Sequence, residues 1–322
     1  MIGRLLSALG AVGIRRVCMM PDVTGLAGRI RRSAESQRRH GWPELIFLDM
    51  PVDDGPADTL RAVERMVEAG VRVIVVLGGD GTHRLVAMAC GETPLVALST
   101  GTNNAFPGSH EATIAGLAAG LVATGLVPAR QAVFRNKVLR LESNGTPRGL
   151  AVVDASVTSD RWIGAKALWR PENLSQIFVA FSEPHAIGVS SIAGLLRPVA
   201  RNARHGLRID LAPLGQAPMT LMAPIAPGLI VPLGIAAFDE IRFGERHLVR
   251  CPEGVVAVDG EREIEFGPGD QVAIRLEQDG PFTIDIDLVM HRAAREGLLV
   301  NFDPTRASVN GEYRKSVSHA AW

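Results

Sequence analysis

The stretch from Val71 to Leu77 is almost continuously apolar and runs straight into Gly78-Gly79-Asp80-Gly81-Thr82. An apolar run of this kind reads as a central strand covered on both faces, as in a parallel sheet packed between helices. A helical pattern through Leu85, Val86 and Met88 follows. Strand, glycines and helix together put free backbone N–H groups and a positive helix end where an anion can lie. Glycines here tolerate positive φ and let backbone approach a phosphate with no Cβ in the way. Thr82 is suited to cap the helix or to donate its hydroxyl to a phosphate oxygen. Asp80 is the informative residue. A carboxylate beside a phosphate chain is repulsive unless it accepts a proton from an attacking hydroxyl or anchors a Mg²⁺ shared with the phosphates, and either role belongs to phosphoryl transfer. The same five residues also fit a tight turn that only caps a helix.

The sequence around this loop alternates short apolar runs with amphipathic patterns. Strands are expected at Val17 to Met20, at Leu45 to Leu48 and at Pro94 to Leu98, with helices carrying Leu26, Ile30 and Ala34, then Leu60, Val63 and Val67, then Ile114, Leu117 and Leu121. The strand at Pro94 ends in a second small polar loop, Ser99-Thr100-Gly101-Thr102-Asn103-Asn104. Ligands bind at such strand ends in open α/β sheets, so Gly101, Thr102, Asn103 and Asn104 join the candidate nucleotide site, although an Asx-rich turn without a ligand fits them too. Beyond Pro128 the texture changes to short segments separated by Asn144-Gly145 and Asp259-Gly260, pairs that favour antiparallel hairpins. The expected fold class is α/β: an N-terminal parallel-sheet domain over residues 1–125 and a second, β-rich antiparallel domain over residues 126–322. The tail from Pro304 is a loose end or packs back on the first domain, and Met1 to Val17 reads as a loose N-terminus.

Composition narrows the partner. With 34 basic and 34 acidic side chains the formal charge is zero, which favours a small-molecule substrate over nucleic acid or an anionic membrane. The uncharged run from Leu211 to Phe238 is long enough to span a membrane, but five prolines break it, so buried strands and turns are expected and no membrane span. Only Lys137, Lys166 and Lys315 are lysines and none follows a Walker-type loop, which leaves phosphate to backbone, arginine or metal. Three separated cysteines, Cys18, Cys90 and Cys251, fit a reducing cytoplasm.

Leu77-Gly78-Gly79-Asp80-Gly81-Thr82 after a hydrophobic strand resembles the signature of the NAD kinase and diacylglycerol kinase superfamily. The segments 79–86 and 98–104 look closest to its acetoin catabolism protein X branch. Asn103-Asn104 stands where the lipid-kinase branch carries Asn-Asp. The segment Gly188 to Gly194 resembles the Thr-Gly-Ser-Thr-Ala-Tyr stretch of NAD kinases, which implies substrate contacts for Ser190 and Ser191. Asp154 falls near the Asn-Glu pair that grips the dinucleotide in those enzymes, and that pair is absent here. Asp259-Gly260 resembles a C-terminal Asp-Gly of the same enzymes, and it is equally a two-residue hairpin turn. The resemblance implies an NAD kinase-like fold, and a homo-oligomer is expected. It also implies ATP as phosphoryl donor, Mg²⁺ as cofactor and an alcohol as acceptor. A lipid or polyol kinase of the same superfamily, and a non-catalytic nucleotide-binding accessory or regulatory protein linked to acetoin catabolism, are the two alternatives.

Overall fold

The computed structural model describes residues 1–37, 41–101, 103–159 and 171–300. The N-terminal part runs α1 (Ile2–Ala11), β1 (Arg16–Met19), α2 (Leu26–Gln37), β2 (Glu44–Phe47), α3 (Pro56–Glu68), β3 (Ile74–Gly78), α4 (Asp80–Ala89), β4 (Leu95–Ser99) and α5 (Ala112–Ala123). The chain continues as β5 (Val133–Arg135), β6 (Val138–Ser143), β7 (Thr146–Ala151), β8 (Asp154–Thr158), β9 (Leu174–Val179), α6 (Ser190–Leu196), β10 (His205–Ala212), β11 (Met219–Ala226) and β12 (Leu229–Arg242). It closes with β13 (Arg246–Leu248), β14 (Gly254–Val258), β15 (Glu261–Phe266), β16 (Val272–Glu277), β17 (Phe282–Ile284) and α7 (Ile286–Glu296).

The alternating half has the parallel pairs expected of it, β1 with β2 and β3 with β4. They do not form one continuous sheet. Among the described residues β1–β2 stands as a separate pair, whereas β4 is joined on its other side by β17, in parallel, and β17 by the antiparallel β5. The α/β layer therefore takes a strand from far along the chain, and α7 follows it to pack beside α5. Ile284, Ile286, Val289 and Ala293 share one core with Leu5, Leu9, Val96, Leu98 and Leu121.

Residues 1–17, expected to be loose, contain a packed helix instead. Leu5, Leu6, Ala8 and Leu9 of α1 are buried, and α5 receives α1 on a seam made by Gly116 and Gly120. A Cβ at Gly116 would lie 2.8 Å from the Ala8 Cβ and 2.9 Å from the Leu5 carbonyl oxygen. Two glycines one turn apart let the helix axes approach, and the apolar side chains of α1 supply the burial that a lone ten-residue helix lacks.

In the β-rich half, a seven-stranded antiparallel sheet (β11-β12-β10-β9-β8-β14-β15) faces a four-stranded one (β13-β16-β6-β7). Leu139, Leu141, Leu150, Phe178, Val256, Ile274 and Leu276 fill the space between them, and each fully buried side chain of this size contributes about 1.5–3 kcal/mol. The two hairpin dipeptides act as their chemistry demands: Asn144 and Gly145 have φ of 52° and 77°, and Asp259 and Gly260 have φ of 49° and 82°, the double positive φ of a tight two-residue turn. The uncharged run from Leu211 forms the end of β10 and the β11–β12 hairpin. It is strand and turn as expected, but not wholly buried, since Met222 and Ile230 are 56% and 63% exposed on the edge of the large sheet. No helix among the described residues is long and apolar enough to cross a membrane.

Candidate functional site

Because β3 and β4 are parallel neighbours, with Gly78 opposite Ser99, both polar loops leave the same end of the sheet. Gly79 caps α4 with an extended backbone, φ −89° and ψ −175°. None of Gly78, Gly79, Gly81 and Gly101 has positive φ, so of the two reasons the sequence offered for glycine, left-handed backbone does not apply. Close approach does. A Cβ on Gly79 would meet the Asn104 Oδ1 at 2.8 Å, and one on Gly81 would meet the Glu261 Oε1 at 2.5 Å. Asn104 is the link between the loops, because its Nδ2 also donates to the Ser99 Oγ at 2.8 Å.

The Asp80 carboxylate reaches across into the second loop. Its Oδ1 accepts the Phe106 N–H at 2.8 Å and its Oδ2 accepts the Ala105 N–H at 2.9 Å. Burial pushes its pKa up, opposed by these two hydrogen bonds and by the positive charge of Arg201. Arg201, from the segment between α6 and β10, donates through Nη2 to the Ala105 and Phe106 carbonyls at 2.6 and 2.8 Å. Its guanidinium lies 4.1 Å from the ring centre of Phe181, close enough for cation–π attraction.

Two further carboxyls complete the centre. Asp259, on the β14–β15 turn, sends its side chain inward, where it accepts the N–H groups of Val152 and Val153 at 2.8 Å each and that of Asp154 at 3.2 Å. Burial, with the nearby Asp80 charge, pushes its pKa up to about 7. Asp154 is raised well above the ordinary carboxylate range, by burial first and then by the charges of Asp259 and Asp80. Asp259 forms the hairpin turn that the sequence offered, and from that turn its carboxylate points inward to the backbone of residues 152–154. Three carboxyls that feel one another cannot all ionise cheaply, and burial with the charges of Asp259 and Asp80 biases Asp154 toward its protonated form.

Two family models match the chain: the ATP-NAD kinase N-terminal domain over residues 5–126 and the acetoin catabolism protein X C-terminal domain over residues 137–279. Acetoin catabolism protein X of Cupriavidus necator is 47% identical over 304 residues, which span 92% of this chain and 84% of that protein. The chain belongs to the acetoin catabolism protein X family. A shorter stretch of this family member, 81 residues at 37% identity, matches a probable lipid kinase, YegS-like, of Pseudomonas fluorescens, covering 24% of this chain and 25% of that protein. Among solved structures, yeast NADH kinase complexed with NADH superposes with a TM-score of 0.52 over 94% of this chain and 86% of that one, at 13% identity. This family member thus has an NAD kinase-like, kinase-type fold.

The remaining sequence candidates divide. In this family member Asn103 reaches toward Gly188, whose Cβ would lie 3.7 Å from the Asn103 Oδ1, so the second loop does meet the 188–194 segment. Ser190 and Ser191, however, are buried, and the Ser191 hydroxyl donates to the Pro224 carbonyl at 3.3 Å. Their segment packs α6 against β11. Thr82 does not cap α4, because Gly79 holds that position; it lies in the first turn with its Cβ against Gly78. Thr102 lies outside the described residues, as does the tail from Pro304. His83 is fully buried, its Nδ1 donating to the Gly79 carbonyl at 2.8 Å. Burial brings its pKa down to about 4, so it stands neutral beside the loop and brings no charge to a phosphate. Arg201 escaped the sequence reading entirely, since an arginine in an irregular loop carries no local signal.

No group of three or more His, Cys, Asp and Glu among the described residues is arranged to hold a metal ion by itself. Mg²⁺ commonly uses one or two carboxylates and completes its shell with substrate phosphates and water. Asp80 fits that need, since its Oδ2 accepts a hydrogen bond from Ala105 and retains a second lone pair.

Proposed function

We propose that this acetoin catabolism protein X family member transfers the γ-phosphoryl group of ATP to an alcohol at the Asp80 centre. The observation that carries the reading is Asp80 itself, at the N-terminus of α4, half-buried and hydrogen-bonded into the second loop, with Asp154 and Asp259 nearby. The N-terminal N–H groups of α4 would cradle the phosphates, with Gly78, Gly79, Gly81, Thr82, Gly101, Asn103 and Asn104 lining their path. Asp80 would accept the proton of the acceptor hydroxyl, a task suited to a carboxylate whose pKa burial has raised. In the alternative role Asp80 would instead anchor a Mg²⁺ shared with the phosphates, which would supply positive charge beside the transferring group. Asp154 and Asp259 would face the acceptor. The similarity to a probable lipid kinase over 81 residues supports including lipid acceptors beside NAD⁺ and small polyols. A reducing cytoplasm suits the free thiols Cys18, Cys90 and Cys251, and a homo-oligomer remains part of the proposal.

A second reading has its own observation. Both oxygens of Asp80 already accept backbone hydrogen bonds, as they would in a nucleotide-binding accessory protein whose loop is only structural. A screen with γ-labelled ATP and Mg²⁺ against NAD⁺, diacylglycerol and small polyols separates the two. Transfer that disappears in Asp80→Asn supports the kinase; tight MgATP binding with no transfer to any acceptor supports the accessory protein.

A further inference from the structure

One peptide unit, the C=O of Ala105 with the N–H of Phe106, is held at both ends. Its oxygen accepts from the Arg201 Nη2 at 2.6 Å and its N–H donates to the Asp80 Oδ1 at 2.8 Å. The neighbouring groups repeat the pattern, the Ala105 N–H toward Asp80 and the Phe106 C=O toward Arg201. A cation on the carbonyl side and an anion on the amide side polarise the peptide in the same sense, and hydrogen bonds in such a chain reinforce one another. Arg201 is itself fixed. Its guanidinium lies against Phe181 and Phe106, and the segment that carries it is tied down by Lys137, whose Nζ donates to the carbonyls of Ala200 and His205 at 3.0 and 2.7 Å. Lys137 is buried and spends these hydrogen bonds on backbone, so its position is dictated by the segment it holds.

We propose that Arg201 is the positioning residue of this centre, setting the orientation of the Asp80 carboxylate through the peptide groups of Ala105 and Phe106 from a segment that Lys137 anchors. Arg201 acts through the second loop and makes no hydrogen bond to Asp80. It ties the β-rich half to the reactive carboxylate of the α/β half, so the carboxylate is aimed only when the two halves are docked. Among the described residues, the charges that act on Asp80 or feel it are those of Arg201, Asp154 and Asp259, and of these Arg201 is the cation.

The catalytic consequence rests on the proposed kinase reading, so the test has an arm that does not. In full-length protein labelled with ¹⁵N-phenylalanine, the Phe106 amide is identified by its loss or shift in Asp80→Asn. Its proton resonates downfield when it donates to a charged carboxylate through a polarised peptide. Arg201→Gln is expected to move it upfield and Arg201→Lys, which keeps the charge, to return it toward the wild-type position. In the phosphoryl-transfer assay, with the acceptor found by the screen, Arg201→Gln is expected to lower kcat on the order of 10²-fold while leaving KM for MgATP within about twofold. A Phe106 amide unmoved in a folded Arg201→Gln protein overturns the proposal. So does a loss confined to KM. If the wild type transfers no phosphoryl group, the kinase reading fails and the amide arm still decides the role of Arg201. Lys137→Met supplies a variant that leaves Arg201 in place: a smaller upfield shift supports the anchoring, and none removes Lys137 from it.

Discussion

Asp259 accepts the backbone N–H of Asp154 through its carboxylate at 3.2 Å and returns its own N–H to the Asp154 carbonyl at 2.9 Å. The pair locks the start of β8 to the turn after β14 and brings two carboxyls together in the interior beside Asp80. Ionising both there is costly, and the cost is open to measurement in the stability of the protein as well as in its chemistry.

The folded pKa of Asp259, about 7, lies above its ordinary 3.8, and Asp154 is raised in the same direction. Between those values the folded state holds protons that the unfolded chain has released, so this contribution to stability is full below about pH 4 and is lost as pH rises through about 7. The wild-type Tm, followed by calorimetry from pH 5 to 8.5, should fall over that interval. Asp259→Asn should flatten the slope even though its amide matches the Val152 N–H poorly. An unchanged slope would mean that Asp259 is not protonated in the fold.

Asp80→Asn should cost both activity and stability. Asn keeps one acceptor oxygen but turns an NH₂ group toward an N–H that the Asp80 carboxylate now accepts. Leaving that buried donor unpaired costs about 1–3 kcal/mol. On the proposed kinase reading, in which Asp80 is the base, its removal should lower turnover on the order of 10²- to 10⁴-fold. Denaturant unfolding and single-turnover kinetics on the same variant separate the two. A variant as stable and as active as wild type would show that the carboxylate matters to neither loop nor chemistry.

Gly79→Ala and Gly81→Ala should part company. At Gly81 the obstacle is the end of Glu261, whose side chain is 54% exposed and can swing aside. The change gives up the 2.8 Å Arg84–Glu261 contact but gains the helix preference of alanine over glycine, roughly 0.5–1 kcal/mol. Near-neutral stability is expected. At Gly79 the obstacle is Asn104, held by Ser99, so alanine there must disturb both loops. Gly79→Ala should lower Tm more than Gly81→Ala and weaken MgATP binding more, read by calorimetry.

The α1–α5 seam is the last test. Gly116→Ala places a methyl group against the backbone and Ala8 side chain of α1, where neither can rotate away. Overpacking of this kind costs about 1–3 kcal/mol. Equilibrium unfolding should show that loss. Ala119→Gly, in the same helix but without that clash, should lose only about 1 kcal/mol for glycine in a helix interior and the lost methyl contact.

The features that the chain carries locally could be read from it. The apolar run before Gly78 makes β3, the glycine loop after it begins α4, and the Asn144-Gly145 and Asp259-Gly260 pairs make hairpins, because backbone conformation there depends on neighbours in sequence. Tertiary structure alone decided the rest. It turned residues 1–17 from a loose end into a packed helix, because the seam that receives α1 lies on α5. It completed the sheet beside β4 with three residues from β17, too short a strand to announce itself. It also placed Arg201, Asp154 and Asp259 around Asp80, since electrostatic and hydrogen-bond partnership depends on distance in space, which residues so far apart in sequence acquire only when the two halves pack together.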